Sequence, residues 1–311
     1  MGSMVVAGLV GSLVAIAALR RITWFGDLLA LGLPAAGEVL IALSACLRLA
    51  NGSTALVVVG IGMSASCGVL CVLPRRRVSA SRPATSLLLA SVNLQHDSRD
   101  PAATVQSALE IGADVLVVAE VTTRTHALLS EAFPFALVTQ HALHVNDNAV
   151  GVYANVPFEE LSAPPHSGRE ALRVRVSGPE PFLLYAVHLP RPVIHHDGTT
   201  GLVSLAEHRR EVRRLDAAVR AEVEPVVLAG DLNLSDRTDG YRVLTSGRLD
   251  AMRTGTVPAR STYRGHWWWR RLMFRIDHCI VPRGWGVADA TTFDIRGSDH
   301  RGISGRIGRH A

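Results

Sequence analysis

The chain contains no lysine; all 32 of its basic residues are arginine. Charge is scarce as a whole, at 19% of 311 residues, where a soluble domain carries about a quarter. Cysteine is scarce too. Cys46, Cys67 and Cys71 lie in the apolar N-terminal third, and Cys279 stands alone near the other end. Four cysteines at these spacings exclude a disulfide framework and a thiolate zinc site. Cys67 and Cys71, inside an apolar run, read as small packing groups. No internal repeat and no low-complexity segment is present. What the chain has in excess is aliphatic residues: 48% are apolar, mean hydropathy is +0.22, net charge is +5 and the pI is near 9.5. This excludes a disordered chain, and the length allows one large domain or two smaller ones.

The apolar excess is concentrated in three runs. Residues 4–19 carry no charge and stop at Arg20-Arg21; residues 28–47 are apolar apart from Glu38, with Pro34 as a kink; residues 54–73 carry no charge and lead to Arg75-Arg76-Arg77. About twenty apolar residues cross a bilayer as a helix. Residues 1–78 therefore read as a membrane region with three transmembrane helices, and Trp24 and Phe25 fall where interfacial aromatics belong. The competing reading is a set of buried core helices in a soluble protein. A cleaved signal peptide fits less well, because no basic residue precedes the first run and two further runs follow it. With three spans, Arg20, Arg21, Arg75, Arg76, Arg77 and Arg82 share one side with everything that follows, and Arg48 flanks the other. The positive-inside rule then places the C-terminal region in the cytoplasm, an inference that reverses if the count changes by one.

After a short polar linker at 79–83, residues 84–311 alternate between extended and helical patterns, with enough chain for one large core. Strands are predicted at 86–92, 115–119, 135–140, 149–154, 171–177, 182–187, 226–229, 275–281 and 302–307. Asp100-Pro101 is a helix start, with the carboxylate as N-cap and proline at the first helical position, and Gly112 is its stop. Leu205, His208, Val212, Leu215 and Val219 recur at helical spacing and predict a helix over 204–222.

The chemistry sits at the strand ends. Asn93 follows the first strand, Glu120 ends the second, His188 ends the 182–187 strand, Asp231 and Asn233 follow 226–229, and Asp299-His300 precedes the last strand. An α/β sheet hands its chain to loops at such points, and sites are built there. Asp231 and Asn233 are two apart, so in extended chain both side chains share a face. Asp277 interrupts an apolar strand, where a charge is expensive unless paired.

Taken in order, Ser91-Val92-Asn93, Ala119-Glu120, Val187-His188-Leu189, Gly230-Asp231-Leu232-Asn233, Arg275-Ile276-Asp277-His278 and Gly297-Ser298-Asp299-His300 resemble the motifs of the endonuclease/exonuclease/phosphatase superfamily, over about residues 86–308. Ala186 replaces a threonine frequent in that family, and the residues before Pro157 lack its Ser-Arg pair. The resemblance implies a four-layer α/β sandwich, two mixed sheets with helices outside, and metal-dependent hydrolysis of a phosphoester or phosphoanhydride. Oxygen donors without thiolates suit Mg²⁺ or Mn²⁺. Carried over by motif, Glu120, Asn93 and Asp299 are implied at the metal site and Asp231 as the group that deprotonates water. Asn233 is implied at the phosphate or that water, His188 and His300 at the phosphoryl oxygens, and Asp277 as partner of His300.

Three apolar runs ahead of such a domain resemble the membrane-anchored, teicoplanin-resistance (VanJ-type) branch, which implies a bilayer-bound phosphatase acting on a lipid-linked or other envelope phosphate, with the catalytic domain outside the cytoplasm. That conflicts with the charge count, so the side stays open. A membrane-tethered nuclease is the alternative, and an inert membrane scaffold a third reading. The loop holding Arg191, His195, His196 and Asp197 reads as a solvated rim or a second metal site. Trp267-Trp268-Trp269-Arg270-Arg271 reads as a buried cluster or as a loop that dips into the bilayer interface.

Overall fold

The computed structural model describes residues 24–51, 54–72, 77–139, 143, 149–162, 171–178, 180–192, 202–255, 260–265 and 273–310. The predicted 4–19 helix, His195, His196 and Trp267, Trp268 and Trp269 lie outside these residues, as do the side chains of Trp24 and Phe25.

Two helices open the described chain: α1 (Trp24–Asn51), which continues through Pro34, and α2 (Thr54–Val72). They pack as a hairpin. A Cβ on Gly60 would collide with Ser44 Oγ, and one on Gly37 would lie 3.3 Å from Ser64 Oγ, so small residues let the two backbones approach. Ser44 and Ser66 return their hydroxyls to the carbonyls of Leu40 and Gly62, which satisfies them within their own helices. Leu33, Cys67 and Cys71 form the apolar contact between the helices. Outside that contact Val39 is 63% exposed and Ile61 56%, with Ile41, Leu43, Val58 and Val69 exposed as well. A contiguous apolar surface of this kind marks contact with a membrane or another protein. Among the described residues one stretch, Gly26–Ala50, is long and apolar enough to cross a membrane; the apolar part of α2, Val57–Cys71, is shorter. Of the three predicted spans, the second is thus a full-length candidate, the third a shorter helix, and the first lies outside the described residues; among those residues a multi-pass anchor is not supported.

The remaining elements are β1 (Leu87–Asn93), α3 (Pro101–Leu109), β2 (Val115–Val121), α4 (Thr123–Ala132), β3 (Phe135–Val138), β4 (Ala149–Ala154), β5 (Phe158–Leu161), β6 (Ala171–Val176), β7 (Phe182–His188), α5 (Leu202–Ala221), β8 (Val226–Asp231), α6 (Asp239–Thr245), β9 (Arg248–Asp250), a 3₁₀ turn (Ala251–Arg253), β10 (Asp277–Pro282), β11 (Trp285–Asp294) and β12 (Arg301–Arg309). They make two six-stranded sheets, ordered β11-β12-β1-β2-β4-β3 and β5-β6-β7-β8-β10-β9. Each has one parallel pair near its centre, β1 with β2 and β7 with β8, flanked by antiparallel neighbours. The sheets are mixed, as the family resemblance implied.

The alternation of side chains explains the layers. Leu87 and Leu89 of β1, Val115 and Val117 of β2, Phe182, Leu184 and Ala186 of β7, and Val227 and Ala229 of β8 fill the space between the sheets. The intervening residues Ala90, Val92, Leu116 and Val118 pack under α3 and α4. Leu183, Tyr185, Val187, Val226 and Leu228 pack under α5, from which Val212, Leu215 and Val219 face them. Strands covered on both faces read as unbroken apolar runs, which is why they are conspicuous in the sequence. Asp100 caps α3 through Ala103 N–H at 3.1 Å, with Pro101 at its first position, and Gly112 turns the chain at a φ of 65°.

The predicted linker is not free. Val78 N–H bonds Arg253 O of the 3₁₀ turn, Val287 N–H of β11 bonds Ser81 O and Ala84 N–H bonds Arg309 O of β12, so residues 78–84 form a strap tied to all three.

Gly230 admits no side chain. Its φ is 142° and an added Cβ would lie 1.9 Å from Val187 O of the neighbouring strand. Gly230→Ala is expected to cost roughly 3 kcal/mol or more, since it combines backbone strain with overpacking. Gly112→Ala, at an open site, is expected to cost about 1–2 kcal/mol. Denaturant unfolding of the two variants checks the order.

Candidate active site

The between-sheet face continues past the apolar core to its polar end. Asn93 has the parity of Leu87 and Leu89, His188 that of Leu184 and Ala186, Asp231 that of Val227 and Ala229, and Asp277 that of Cys279 and Val281. All four are at most 3% exposed. The register places His188 opposite Asp231 on one side and Asp277 opposite it on the other, so Asp231 is the middle of a three-strand row.

Glu120 has the wrong parity for this face. Its neighbours Val115 and Val117 point between the sheets, which would turn Glu120 toward α3 and α4. The pairing of β2 with β4 shifts between Val118 and Val121, and Glu120 itself has a φ of 58°. A bulge of this kind re-aims a side chain. Here it brings the carboxylate to Asn93, whose Nδ2 donates to Glu120 Oε1 at 3.1 Å and to Asp231 Oδ2 at 3.0 Å. Asn93 Oδ1 accepts from Gln95 N–H at 2.9 Å. In this arrangement the Asn93 amide presents N–H groups that join the two carboxylates.

The expected placement of Asn233 requires a correction. It does not share an extended face with Asp231, because the strand ends at Asp231 and Asn233 has a φ of 47°. Asp231 Oδ1 instead accepts Asn233 N–H at 2.9 Å in a tight turn, and Asn233 Nδ2 donates to Leu189 O at 2.8 Å. His208, on α5, holds the carbonyl of the intervening Leu232 at 3.1 Å. Burial lowers its pKa to about 4, so it is neutral there.

His300 closes the group. Its Nδ1 is 2.9 Å from Asp277 Oδ2, and its Nε2 is 3.8 Å from Asp231 Oδ2 and 3.9 Å from Asp299 Oδ1. His188 Nε2 lies 3.7 Å from Asp231 Oδ2. The Ser-Asp-His loop is sewn to β1: Ser298 Oγ donates to Asn93 O, His300 N–H to Ser298 Oγ, and Asp299 N–H to Gln95 Oε1. Thr262 Oγ1 accepts from the N–H of both Ile276 and Asp277, which fixes the start of β10. Behind it Arg275, with no exposure, pairs with Asp236 and Asp250, and His278 bonds Leu234 O.

The two acids of this edge are pulled apart. Burial, then the nearby Asp277 charge, raises Asp231 to about 7. Burial also works to raise Glu120, but hydrogen bonds from His96 and Asn93 and the charge of His188 outweigh it and hold that carboxyl well below the usual range. Burial alone would lower His300; Asp277 and Asp231 overcome it and raise it to about 10. A pair of acids tuned in opposite directions is the pattern of a base beside a permanent anion.

Three contributors escaped the sequence reading. His96 places its backbone N–H and its Nδ1 3.0 and 2.8 Å from Glu120 Oε2. Its position three residues after Asn93, in the loop that leaves β1, was the available signal. Gln95 and Tyr263 carry no such signal; the Tyr263 ring meets His300 edge-on at 5.2 Å. Arg191, noted as a rim residue, reaches within 3.5 Å of Glu120.

Among the described residues, Asp231, Asp277 and His300 offer possible ligand atoms that all lie within 4.8 Å of one another. With Nδ1 of His300 already engaged by Asp277, this trio is organised as a charged imidazole between two carboxylates. Glu120 and Asp299 are further acids at the same edge.

Two mixed sheets, helices on both outer faces, and acids, amides and histidines from both sheets at one shared edge define a four-layer α/β sandwich with a polar centre built across its halves. Residues 90–300 match the Endonuclease/Exonuclease/phosphatase family, and the chain belongs to it. The family's enzymes hydrolyse phosphoester bonds. Among solved structures the fold is similar to an endonuclease/exonuclease/phosphatase from Beutenbergia cavernae, at 20% identity and a TM-score of 0.55 over 73% of this chain and 72% of that one. It is also similar to humanized D. rerio TDP2, at 16% and 0.56 over 72% and 99%. A third is the 3' phosphatase NExo from Neisseria bound to product DNA hairpin, at 17% and 0.53 over 70% and 98%. No curated protein matches the chain.

Asp277→Asn is expected to bring the His300 titration down from about 10 toward about 6.5, the unperturbed imidazole value. Histidine NMR across this pH range reads it directly. A titration that stays put would show that Asp277 does not sustain the charge.

Proposed function

We propose that the protein is a membrane-anchored, divalent-metal-dependent phosphohydrolase whose substrate is a phosphate carried by a lipid or another envelope component. The observation that carries the hydrolytic part is the convergence of Asp231 with Asn93, His188, Asp277 and His300, drawn from both sheets. Asp231, raised toward neutrality, is the group that takes a proton from the attacking water. General-base work of this kind favours a pKa near the working pH. Asn233, tethered through Leu189 O, positions that water or the phosphate. His300, kept charged by Asp277, donates Nε2–H to a phosphoryl oxygen, and His188 supplies a second donor from the other side of Asp231.

Glu120 and Asp299 present hard oxygen donors, with no cysteine among the described residues of this edge, a set that suits Mg²⁺ or Mn²⁺. The depressed pKa of Glu120 keeps it anionic and ready for a cation, and Asn93 holds its orientation. Such an ion supplies charge neutralisation on the transferring phosphoryl group.

The exposed apolar surface of α1 and α2 supports anchoring in a bilayer, as does the likeness of the architecture to the VanJ-type branch. A membrane-tethered nuclease is the second reading, and the likeness to NExo, which is bound to a DNA hairpin, favours it.

Chelation with EDTA is expected to abolish hydrolysis, with Mg²⁺ or Mn²⁺ restoring it. Full activity after exhaustive chelation would end the metal assignment. Asp231→Asn and His300→Ala are each expected to lose about 10²–10⁴-fold in turnover while remaining folded. Phosphate release from polyprenyl diphosphates, phospholipids and oligonucleotides then separates the readings: preference for a lipid in vesicles supports the first, and cleavage of oligonucleotide with steep salt dependence supports the nuclease.

A further inference from the structure

Both ends of the helical hairpin are fastened to one short segment of the catalytic domain. Asp27, in the first turn of α1, is 2% exposed. Its Oδ2 accepts from Arg209 of α5 at 2.6 Å, and its Oδ1 accepts the backbone N–H of Asp239, the first residue of α6, at 2.9 Å. Arg209 also reaches Asp239 Oδ2 at 3.5 Å. At the other end, Cys71 in the last turn of α2 accepts from Arg237 at 3.5 Å, and the Arg237 guanidinium, almost wholly buried, lies 5.6 Å over the Phe274 ring. Arg237 and Asp239 are two residues apart, a few positions after Asn233.

A first-turn acid on a helix ordinarily complements the helix dipole from solvent. Asp27 does something else: it is desolvated, and its partners lie 182 and 212 residues away in sequence. Placing a carboxylate at the mouth of an apolar helix is costly unless a specific partner compensates. The hairpin meets the domain on the active-site edge. Asp27 and Leu31 line one small cleft with Pro192 and Asn233, which belong to the loops after β7 and β8.

We propose that Asp27 is a positioning residue: its buried bonds to Arg209 and Asp239 lock the hairpin against the loops of the active-site edge, so that the site is held toward the surface in which the hairpin is embedded. The inference rests on the membrane-anchored reading given above. It deepens that reading by making presentation of the substrate phosphate, at the bilayer surface, depend on a residue that touches no substrate.

The test uses the full chain in phosphatidylcholine vesicles with two probes, soluble p-nitrophenyl phosphate and a long-chain polyprenyl diphosphate carried in the bilayer. Asp27→Ala is expected to lower the ratio of embedded to soluble turnover by about tenfold, the scale of losing one charge-assisted hydrogen bond. Its rate on the soluble probe should stay within about twofold of the parent, the behaviour of a site that is intact but misdirected. Asp27→Glu, which keeps the charge, should restore most of the ratio. Hydrogen exchange supplies a readout independent of activity: the Asp239 amide should exchange about tenfold faster in Asp27→Ala, with β1 and β2 unchanged. Unaltered exchange at Asp239 would overturn the clamp. Faster exchange with an unaltered ratio would overturn the orienting role. If the parent hydrolyses neither probe, the phosphohydrolase reading fails, and exchange still decides whether the clamp exists.

Discussion

The hydrogen-bonded bridge from Glu120 through Asn93 to Asp231 is the constraint on which the site depends. One amide group, at the end of a strand in the first sheet, satisfies a carboxylate beside it and a second carboxylate from the facing sheet. Two buried acids so close would repel and open the edge to water without a shared donor between them. The bridge holds the two sheets in register at the point where their apolar filling ends. It also explains the placement of the Ser-Asp-His loop, which takes its anchor from the carbonyl of that same asparagine.

Around this bridge the protein keeps several residues in conformations that side chains avoid. Gln95, Glu120 and Asn233 all have positive φ, and each lies within two residues of a strand's last member or is part of its final turn. Such strain persists where the surroundings over-determine it. Here those surroundings are the bulge in β2, the Asx turn at Asp231 and the buried layer of Arg275, Asp236 and Asp250 beneath the loops. The result is an edge in which charge is preset before any ligand arrives, one acid ionised and the other poised.

Much of this was legible in the sequence because the strands are covered on both faces. Unbroken apolar runs marked β1, β2, β7 and β8, and each polar residue that stopped a run lies at the edge shared by the two sheets. Asp277 stood out because a charge within such a run needs a partner, and the partner is His300. The legible part ended where conformation departs from the strand pattern. Glu120 belongs to the site through a bulge that no alternation encodes, and Asn233 through a turn. The orientation of the Asn93 amide depends on Gln95, a neighbour with no chemical signal of its own. The short edge strands β5 and β9 and the helices α4 and α6 escaped because their burial is partial and their patterns brief. Asp27 carries no signal in the sequence, since its partners are distant along the chain.

The strap at residues 78–84 has a consequence for the sheet it borders. β11 is a terminal strand, and a terminal strand offers its unpaired backbone groups to any other extended chain. By accepting Val287 N–H at Ser81 O and laying Pro83 against Gly286, the strap covers the start of that edge. The shifted register between Ala288 and Thr291 twists the remainder away. The segment joining the helical hairpin to the sandwich therefore also helps keep this sheet from adding a stranger's strand. Trimming the protein back to its catalytic core would uncover a surface suited to self-association.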